Sequence, residues 1–513
     1  MPSLLQQISR ITASRAARNA GASYVAFISN ALYSLVSIPL AVSFLGKEQI
    51  GLWLIVNGII GYLIWMDVGI GDATGRKIAD AVAAGDHIET NRWWTTSMVI
   101  LVILGALTAL ATLVIAPFLP RLLNIADAHR ADANWLFIGG GLVAALGTPI
   151  RAYPGLLLAQ HRFHWVSLVQ AIIPWIQLVF FFIFLKMGLG VRSYLPSLAI
   201  SQLCGWFIFV RQVHRQGGGF KFDRAGLAKD RVRSLFAFGG SVAALGMAGA
   251  ILASLPAMIL AHAGGLSLVP VFSFTARGVS MFAQLSQRTT HAFYPGMQRM
   301  FVAGKTAEFR VRLREVLMAT VGIGLATSGF TLVFNPVLIS WLAKPDYYAG
   351  LWTNAWFAIG LVLAGVTDGF TCLLQISGSM GRMALVAALQ LLLGSIAGWW
   401  GYQYFGLPGL AATFAVIPAL CKGIYSLIRG ARNCGYGVMD IGGKATIASV
   451  VACLLVLLGA LLIDHRALPP AASFMLVGRA LIFPSWMDLM VGAGLMAIGC
   501  FLTLAHFKKL SKT

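Results

Sequence analysis

Apolar residues in this chain come in runs of about twenty, broken by short polar turns, and not in the alternation of a strand or the stripe of a surface helix. Fourteen such runs can be read, at 22–45, 50–70, 95–118, 133–157, 165–187, 191–210, 235–261, 265–286, 316–342, 351–375, 383–403, 405–428, 445–463 and 485–505. As helix, roughly 20 apolar residues cross about 30 Å of hydrocarbon, so each run predicts one membrane span. An amphipathic piece at 471–483 belongs with the last hairpin. Residues 1–21 lack the apolar core of a signal peptide; with Arg10, Arg15 and Arg18 on a Leu/Ile-bearing stretch, they predict a short interfacial helix. No loop is long enough to fold as a separate catalytic domain.

Composition agrees. Of 513 residues 58% are hydrophobic and 11% charged, against about a quarter charged in soluble domains. The net charge of +21 would suggest nucleic acid in a soluble chain. In a membrane protein, Lys and Arg instead set orientation and meet anionic lipid. With the N-terminus placed in the cytoplasm, twenty-eight of the 38 basic residues fall in cytoplasmic segments and eight outside, which supports an even span count and cytoplasmic termini. The two most basic loops, 211–233 and 288–314, read as topology and lipid-headgroup contacts. The six cysteines form no CxxC, the histidines no HExxH, and there is no Walker A motif, so the chain reads as a non-enzyme without a metal centre.

A faint repeat overlays LLLAQHRFHWVSLVQAII on LLQISGSMGRMALVAALQLL and aligns Arg162 with Arg382 and Gln170 with Gln390. The expected architecture is an all-α polytopic membrane protein, with two pseudo-symmetric six-helix lobes plus two C-terminal helices. Its parts are a cytoplasmic interfacial helix (1–21), an N-terminal lobe (22–210), a basic linker (211–234), a C-terminal lobe (235–428), and two further helices with a cytoplasmic tail (429–513).

Charges inside spans are few and costly, which makes each a candidate. Asp67 and Asp72 end the second span in GYLIWMDVGIGDATGRK, where Asp67 is either an interfacial carboxylate among packing glycines or a gating or cation-coupling group. Arg151, between Pro149 and Pro154, either faces a cytoplasm-open cavity or snorkels, and its prolines predict a broken helix. Arg277 lies near mid-bilayer, where snorkelling is least effective, and reads as cavity-facing or as paired with a carboxylate such as Asp368. Asp368 in turn either binds H+ or Na+ or neutralises Arg277 or Arg151. Arg76, Lys77, Arg162, Arg288 and Arg382 are placed to meet phosphate or lipid headgroups on the cytoplasmic side. Trp341, Tyr347, Tyr348, Trp352 and Trp356 read as an interfacial aromatic belt, with sugar stacking as the alternative.

The stretch Ala41–Asp80, AVSFLGKEQIGLWLIVNGIIGYLIWMDVGIGDATGRKIAD, resembles the opening of bacterial polysaccharide-biosynthesis membrane proteins. These are the O-antigen and exopolysaccharide flippases of the multidrug/oligosaccharidyl-lipid/polysaccharide exporter superfamily. Leu45, Gly46, Gly51, Leu52, Trp53, Asp67, Gly69, Arg76 and Lys77 carry the likeness over about forty residues. The resemblance implies two six-helix lobes around a V-shaped cavity and alternating access in the bacterial inner membrane. It also implies a polyprenyl-pyrophosphate oligosaccharide as substrate, coupling to H+ or Na+ with no other cofactor, and a polysaccharide polymerase as a partner. Arg277 and Arg151 would then hold the headgroup, with Asp67 or Asp368 coupling or gating. A cation-coupled exporter of amphipathic small molecules and a non-transporting scaffold of a glycan-assembly complex are the alternatives. Fourteen spans depart from the twelve common among these flippases.

Overall fold

The computed structural model describes residues 4–159, 162–215, 223–378, 380–464, 474–476, 479–481 and 486–510. His161, linker residues 216–222, Arg466, the flanks of the 471–483 segment and the last three residues lie outside them. The described chain is helical apart from a hairpin in which Phe474–Leu476 pairs antiparallel with Arg479–Leu481. That hairpin stands where the sequence suggests an amphipathic piece.

Two compact units form, one from residues 1–254 and 260–267, the other from 255–259 and 268–513. The division falls inside the helix that follows the 211–234 linker, not in the linker itself. Unit one contains α1 (Leu4–Phe44), α2 (Lys47–Ile64), α3 (Ile70–Ala83), α4 (His87–Ile115), α5 (Leu119–Leu122), α6 (Asp127–Gly147), α7 (Ala152–Ala159), α8 (Phe163–Lys186), α9 (Tyr194–His214) and most of α10 (Lys229–Ala263). Unit two contains α11 (Leu268–Val302), α12 (Thr306–Leu342), α13 (Leu351–Ile376), α14 (Met383–Pro418), α15 (Ile424–Asn433), α16 (Val438–Asp464) and α17 (Trp486–Leu510). Because α1 starts at Leu4, the expected interfacial helix is continuous with the first span.

Among the described residues, eleven helices are long and apolar enough to cross a membrane, or twelve when the bent pair 127–147 and 149–157 counts as one span. The expected fourteen is not reached. One reason is that 383–433 runs as one helical stretch although Gly406, at φ 63 and ψ −145, breaks it where the apolar pattern predicts two spans. Another is that the 47–64 segment ends in a break, described below. Large apolar side chains face outward along the helices: on α4 Val102, Ile103, Leu107, Leu110 and Val114 are exposed. A water-soluble protein rarely presents so continuous an apolar surface, whereas lipid covers it without cost.

In unit one α3 is the hub, packing on both α4 and α7. Ile70, Ala73 and Ile78 meet Leu101, Ala152, Leu156 and Leu157 in its core. Gly75 faces Gly155 so closely that a β-carbon on Gly75 would stand 2.8 Å from the Gly155 α-carbon. Between the predicted spans 50–70 and 95–118 the chain thus has a further helix, α3. Its Lys77 amine lies 5.4 Å from the centre of the Trp93 ring. Asp86 starts α4 by accepting the Glu89 amide hydrogen at 2.8 Å, the capping geometry expected of a short carboxylate.

Glu89 and Arg92 then bind the end of the linker. Arg231 reaches Glu89 with two nitrogens, at 3.2 and 2.8 Å. Arg92 Nε donates to Asp223 at 3.1 Å, and the Asp223 amide donates to Thr95 at 3.0 Å. The Ala225 amide, which donates to the Asp223 side chain, and the Arg92 guanidinium hold that carboxyl below its usual range. Residues 223–231 are thus clasped onto α4.

In unit two α12 and α13 are central: 72% of the most apolar stretch of each is buried, against 17% for α17. Phe309, Leu317 and Leu325 of α12 meet Val362, Phe370 and Leu373 of α13 and Ala445 and Val456 of α16. Three helices are tied by buried amides. Asn335 Nδ2 donates to the Thr275 carbonyl at 2.9 Å and to Asn354 Oδ1 at 2.8 Å, and Asn354 Nδ2 donates to the Thr331 carbonyl at 2.9 Å. α17 docks on α12 through glycines. A β-carbon on Gly499 would stand 2.3 Å from the Ala326 nitrogen, and one on Gly329 2.8 Å from the Gly492 oxygen. Small residues permit such approach, and van der Waals contact then replaces the hydrophobic drive absent in lipid.

The aromatic residues at 341–356 do not form one exposed belt. Trp341 is exposed, Tyr347 is buried and stacks on Phe274 with ring centres 5.7 Å apart, and Trp352 and Trp356 pack against the core.

Candidate functional site

Unit one encloses a cavity of about 580 Å³ between α1, α2, α6, α7, α8 and α9. Its shape follows from breaks in the helices. The α6–α7 span bends by 42° at Thr148 to Arg151, where Pro149 opens a 3₁₀ turn, as the paired prolines predict. Pro174 sits within α8 on the opposite wall. Gly147 lets the Trp206 ring lie against the α6 backbone, since a β-carbon there would stand 2.9 Å from Trp206 Cζ2.

Arg151 lines this cavity, together with the amides Asn30, Gln170 and Gln202 and the indole of Trp206. The remaining wall is mainly aliphatic. Among the described residues that line it, Arg151 is the charged one, and no carboxylate contributes. Asn30 is fixed by its own helix and the next wall: its Nδ2 donates to the Ala26 carbonyl at 2.8 Å and the Gln170 carbonyl at 3.2 Å. The side chains offer a planar cationic fork, two glutamine amides that both donate and accept, the Asn30 Oδ1 as an acceptor, and an aromatic face. That set suits an anionic group bearing hydroxyls.

Asp67 lies near the Arg151 backbone, with Gly71 next to both. It is 7% exposed, and its Oδ1 accepts the Gly69 amide hydrogen at 3.0 Å. This carboxylate closes a turn in which Val68 has φ 54 and Gly69 φ 66, a conformation costly for a β-branched residue. The turn separates α2 from α3. A β-carbon on Gly71 would stand 3.0 Å from the Arg151 carbonyl oxygen and 3.4 Å from Asp67 Oδ2, so the Asp-x-Gly break and the Arg151 turn support each other. The structure thereby brings together Asp67 and Arg151, which the sequence treats separately. Arg76 and Lys77 project from α3, one turn beyond this contact, Arg76 being exposed.

The other candidates lie elsewhere. Arg162 and Arg382 both immediately precede a long helix, α8 and α14, so the repeat read from sequence places them at equivalent positions. Gln170 lines the cavity whereas Gln390 is buried. Arg277 is exposed on α11, and Arg288 is half-buried on the same helix. Asp368 on α13 pairs with Lys422, Nζ to Oδ1 3.3 Å, and not with Arg277 or Arg151 as the sequence suggests. Lys422 escapes sequence reasoning because it looks like the first residue of a basic cytoplasmic turn. It sits instead in a π-helical turn, Ala419–Gly423, directly after Pro418, which lacks an amide hydrogen for the α-ladder. Asn30, Gln202 and Trp206 are also missed; for Asn30 and Gln202 the available signal was an amide within an otherwise apolar span.

A family model described as polysaccharide biosynthesis protein matches residues 16–301. Among solved structures, an inward-facing multidrug resistance MATE family transporter of the MOP superfamily is similar with a TM-score of 0.64 and 14% identity, over 85% of this chain and 96% of that one. A mutant of the Vibrio cholerae MATE transporter VcmN gives 0.60 and 18% identity over 82% and 97%. A MATE structure in complex with MaL6 gives 0.59 and 16% over 82% and 96%. At these identities the likeness is one of fold. A search of curated protein sequences finds no match. With its multi-pass helical architecture and a family match covering more than half its length, the chain belongs to the polysaccharide biosynthesis protein family.

Proposed function

We propose that the protein flips polyprenyl-pyrophosphate-linked oligosaccharide across the bacterial inner membrane by alternating access, without covalent chemistry and with both termini in the cytoplasm. The observation that carries this reading is the charge of the unit-one cavity, whose described lining includes an arginine and no carboxylate. A pyrophosphate and its sugars do not cross hydrocarbon unaided, whereas the polyprenyl tail can stay in lipid while the head passes through a polar cavity. Arg151 supplies a bidentate, charge-assisted grip on phosphate. Asn30, Gln170 and Gln202 match sugar hydroxyls, and Trp206 matches the apolar face of a sugar ring. The cavity volume lies within the roughly 300–1,000 Å³ of small-ligand sites, so it takes the phosphate end of the headgroup and not the whole glycan.

In this reading Arg277 is a second headgroup ligand, Asp67 couples or gates by supporting the Arg151 turn, and Asp368 couples the cycle to H+ or Na+ through its pairing with Lys422. A polysaccharide polymerase is the expected partner. An exporter of organic cations would instead call for a carboxylate in the cavity.

Proteoliposomes carrying a fluorescent polyprenyl-pyrophosphate oligosaccharide test the assignment. The parent moves it across the bilayer. Arg151→Gln slows movement roughly tenfold to a hundredfold, the worth of about 1.5–3 kcal/mol for a hydrogen bond to a charged group, and Arg151→Lys recovers part of it. Undiminished movement in Arg151→Gln refutes the ligand assignment, and export of organic cations without glycolipid movement refutes the function.

A further inference from the structure

A second pocket, of about 250 Å³, lies in unit two, where the first turns of α12, the start of α16 and the last turns of α17 meet. α16 and α17 both pack on α12, and the pocket is the gap between them at one end. That end carries much of the basic sequence: Lys305, Arg310, Arg312 and Arg314 on or beside α12, and Lys444 on α16.

The pocket is amphipathic. Arg314, Lys444 and His506 supply cationic or hydrogen-bonding groups and Glu315 a carboxylate, while Met318 and Ile441 belong to its apolar wall. Arg314 is held in place by its Nε, which donates to the Asp440 carbonyl at 2.6 Å. That bond orients the guanidinium and leaves its two terminal nitrogens, like the Lys444 amine and the Glu315 carboxylate, without a partner among the described residues. Val311, in the pocket lining, is 53% exposed, and Ile447 on α16 and Leu504 on α17 are 61% and 68% exposed. A fixed guanidinium and an ammonium close to aliphatic side chains match a molecule with a phosphate at one end and hydrocarbon at the other. The pocket lies near the starts of α12 and α16 and the end of α17, and the end of a membrane-spanning helix sits at the depth of a phospholipid headgroup.

We propose that this pocket binds the phosphodiester of an anionic phospholipid of the surrounding bilayer, with Arg314 and Lys444 as its ligands. The acyl chains lie along the exposed aliphatic side chains of α12, α16 and α17. Glu315 accepts hydrogen bonds from headgroup hydroxyls, so phosphatidylglycerol is the probe. The site is separate from the unit-one cavity and does not depend on what that cavity transports.

The test is native mass spectrometry of the full chain titrated with phosphatidylglycerol, phosphatidylcholine or polyprenyl phosphate. The expected result is one tightly retained phosphatidylglycerol. Its affinity falls about fivefold for each of Arg314→Gln and Lys444→Gln, the effect of one basic side chain at a membrane surface. The charge-keeping variants Arg314→Lys and Lys444→Arg retain it, and Arg432→Gln, exposed on α15 of the same unit, leaves it unchanged. Circular dichroism and a monodisperse elution profile show that each variant is folded. Parental retention in the double variant, equal retention of phosphatidylcholine, an equal loss in Arg432→Gln, or preference for polyprenyl phosphate overturns the proposal.

Discussion

The docking of α17 on α12 can be broken by one methyl group. In Gly499→Ala the new β-carbon falls 2.3 Å from the Ala326 nitrogen, 2.5 Å from the Gly322 oxygen and 2.7 Å from the Ala326 α-carbon. All three are backbone or α-carbon atoms, so no side chain can swing aside. Restoring an ordinary contact of 3.4 Å or more requires the helices to part by about 1 Å. A gap of that size forfeits about a quarter to a half of each contact's roughly 0.1–0.2 kcal/mol. Over a few tens of atom pairs between Gly322/Gly499 and Gly329/Gly492 the loss sums to about 1–3 kcal/mol, the usual cost of overpacking. Gly494 on the same helix is the control, because a β-carbon there meets nothing within 4 Å. Alanine at 494 should be neutral, or stabilising by up to about 1 kcal/mol through helix propensity. Equilibrium unfolding of both variants in bicelles measures the difference. If Gly499→Ala is no less stable than Gly494→Ala, glycine packing does not hold α17.

Asn354→Ala removes the acceptor of Asn335 and the donor to Thr331, and should cost about 1–2 kcal/mol in the same unfolding assay. Each orphaned buried group is worth about 1–3 kcal/mol, reduced in a membrane because the unfolded helices find other partners. Lys422→Met strands the Asp368 carboxylate and should destabilise by about 2 kcal/mol, while adding Asp368→Asn should recover most of the loss; equal stability of the single and double variants would show the pair to be idle. The Asp223 carboxyl titrates below its ordinary 3.8 in the folded protein, so its contribution to the linker clasp is present above that value and is lost as pH falls through the lower folded one. Pepsin nicking within 223–231 should rise over that acid range in the parent, and Asp223→Asn should be nicked without such a pH dependence.

Much about this protein was legible in order and composition alone. Apolar runs of span length, sparse charge and an excess of basic residues in alternate loops establish a polytopic helical membrane protein, because lipid imposes those requirements on each segment separately. The prolines flanking Arg151 announced the bend that shapes the cavity, whereas the turn at Val68 and Gly69 was not read from the sequence, where Asp67 stood as an interfacial or coupling carboxylate. The sequence could not show that this turn backs onto Arg151, since residues 67 and 151 are brought together only by α3 packing on α7. Nor could it pair Asp368 with Lys422, because a lysine at the edge of an apolar run looks interfacial until a π-turn places it beside α13. Span number is similarly undecided by hydropathy: a left-handed glycine at 406 and a strained turn at 68–69 divide or end helices without changing the apolar content around them. Polar amides such as Asn30 and Gln202 illustrate the same limit, because rotation about the helix axis decides whether an amide faces lipid, core or cavity. Composition therefore determined the solvent this chain folds in, and tertiary packing determined which few polar groups share a site.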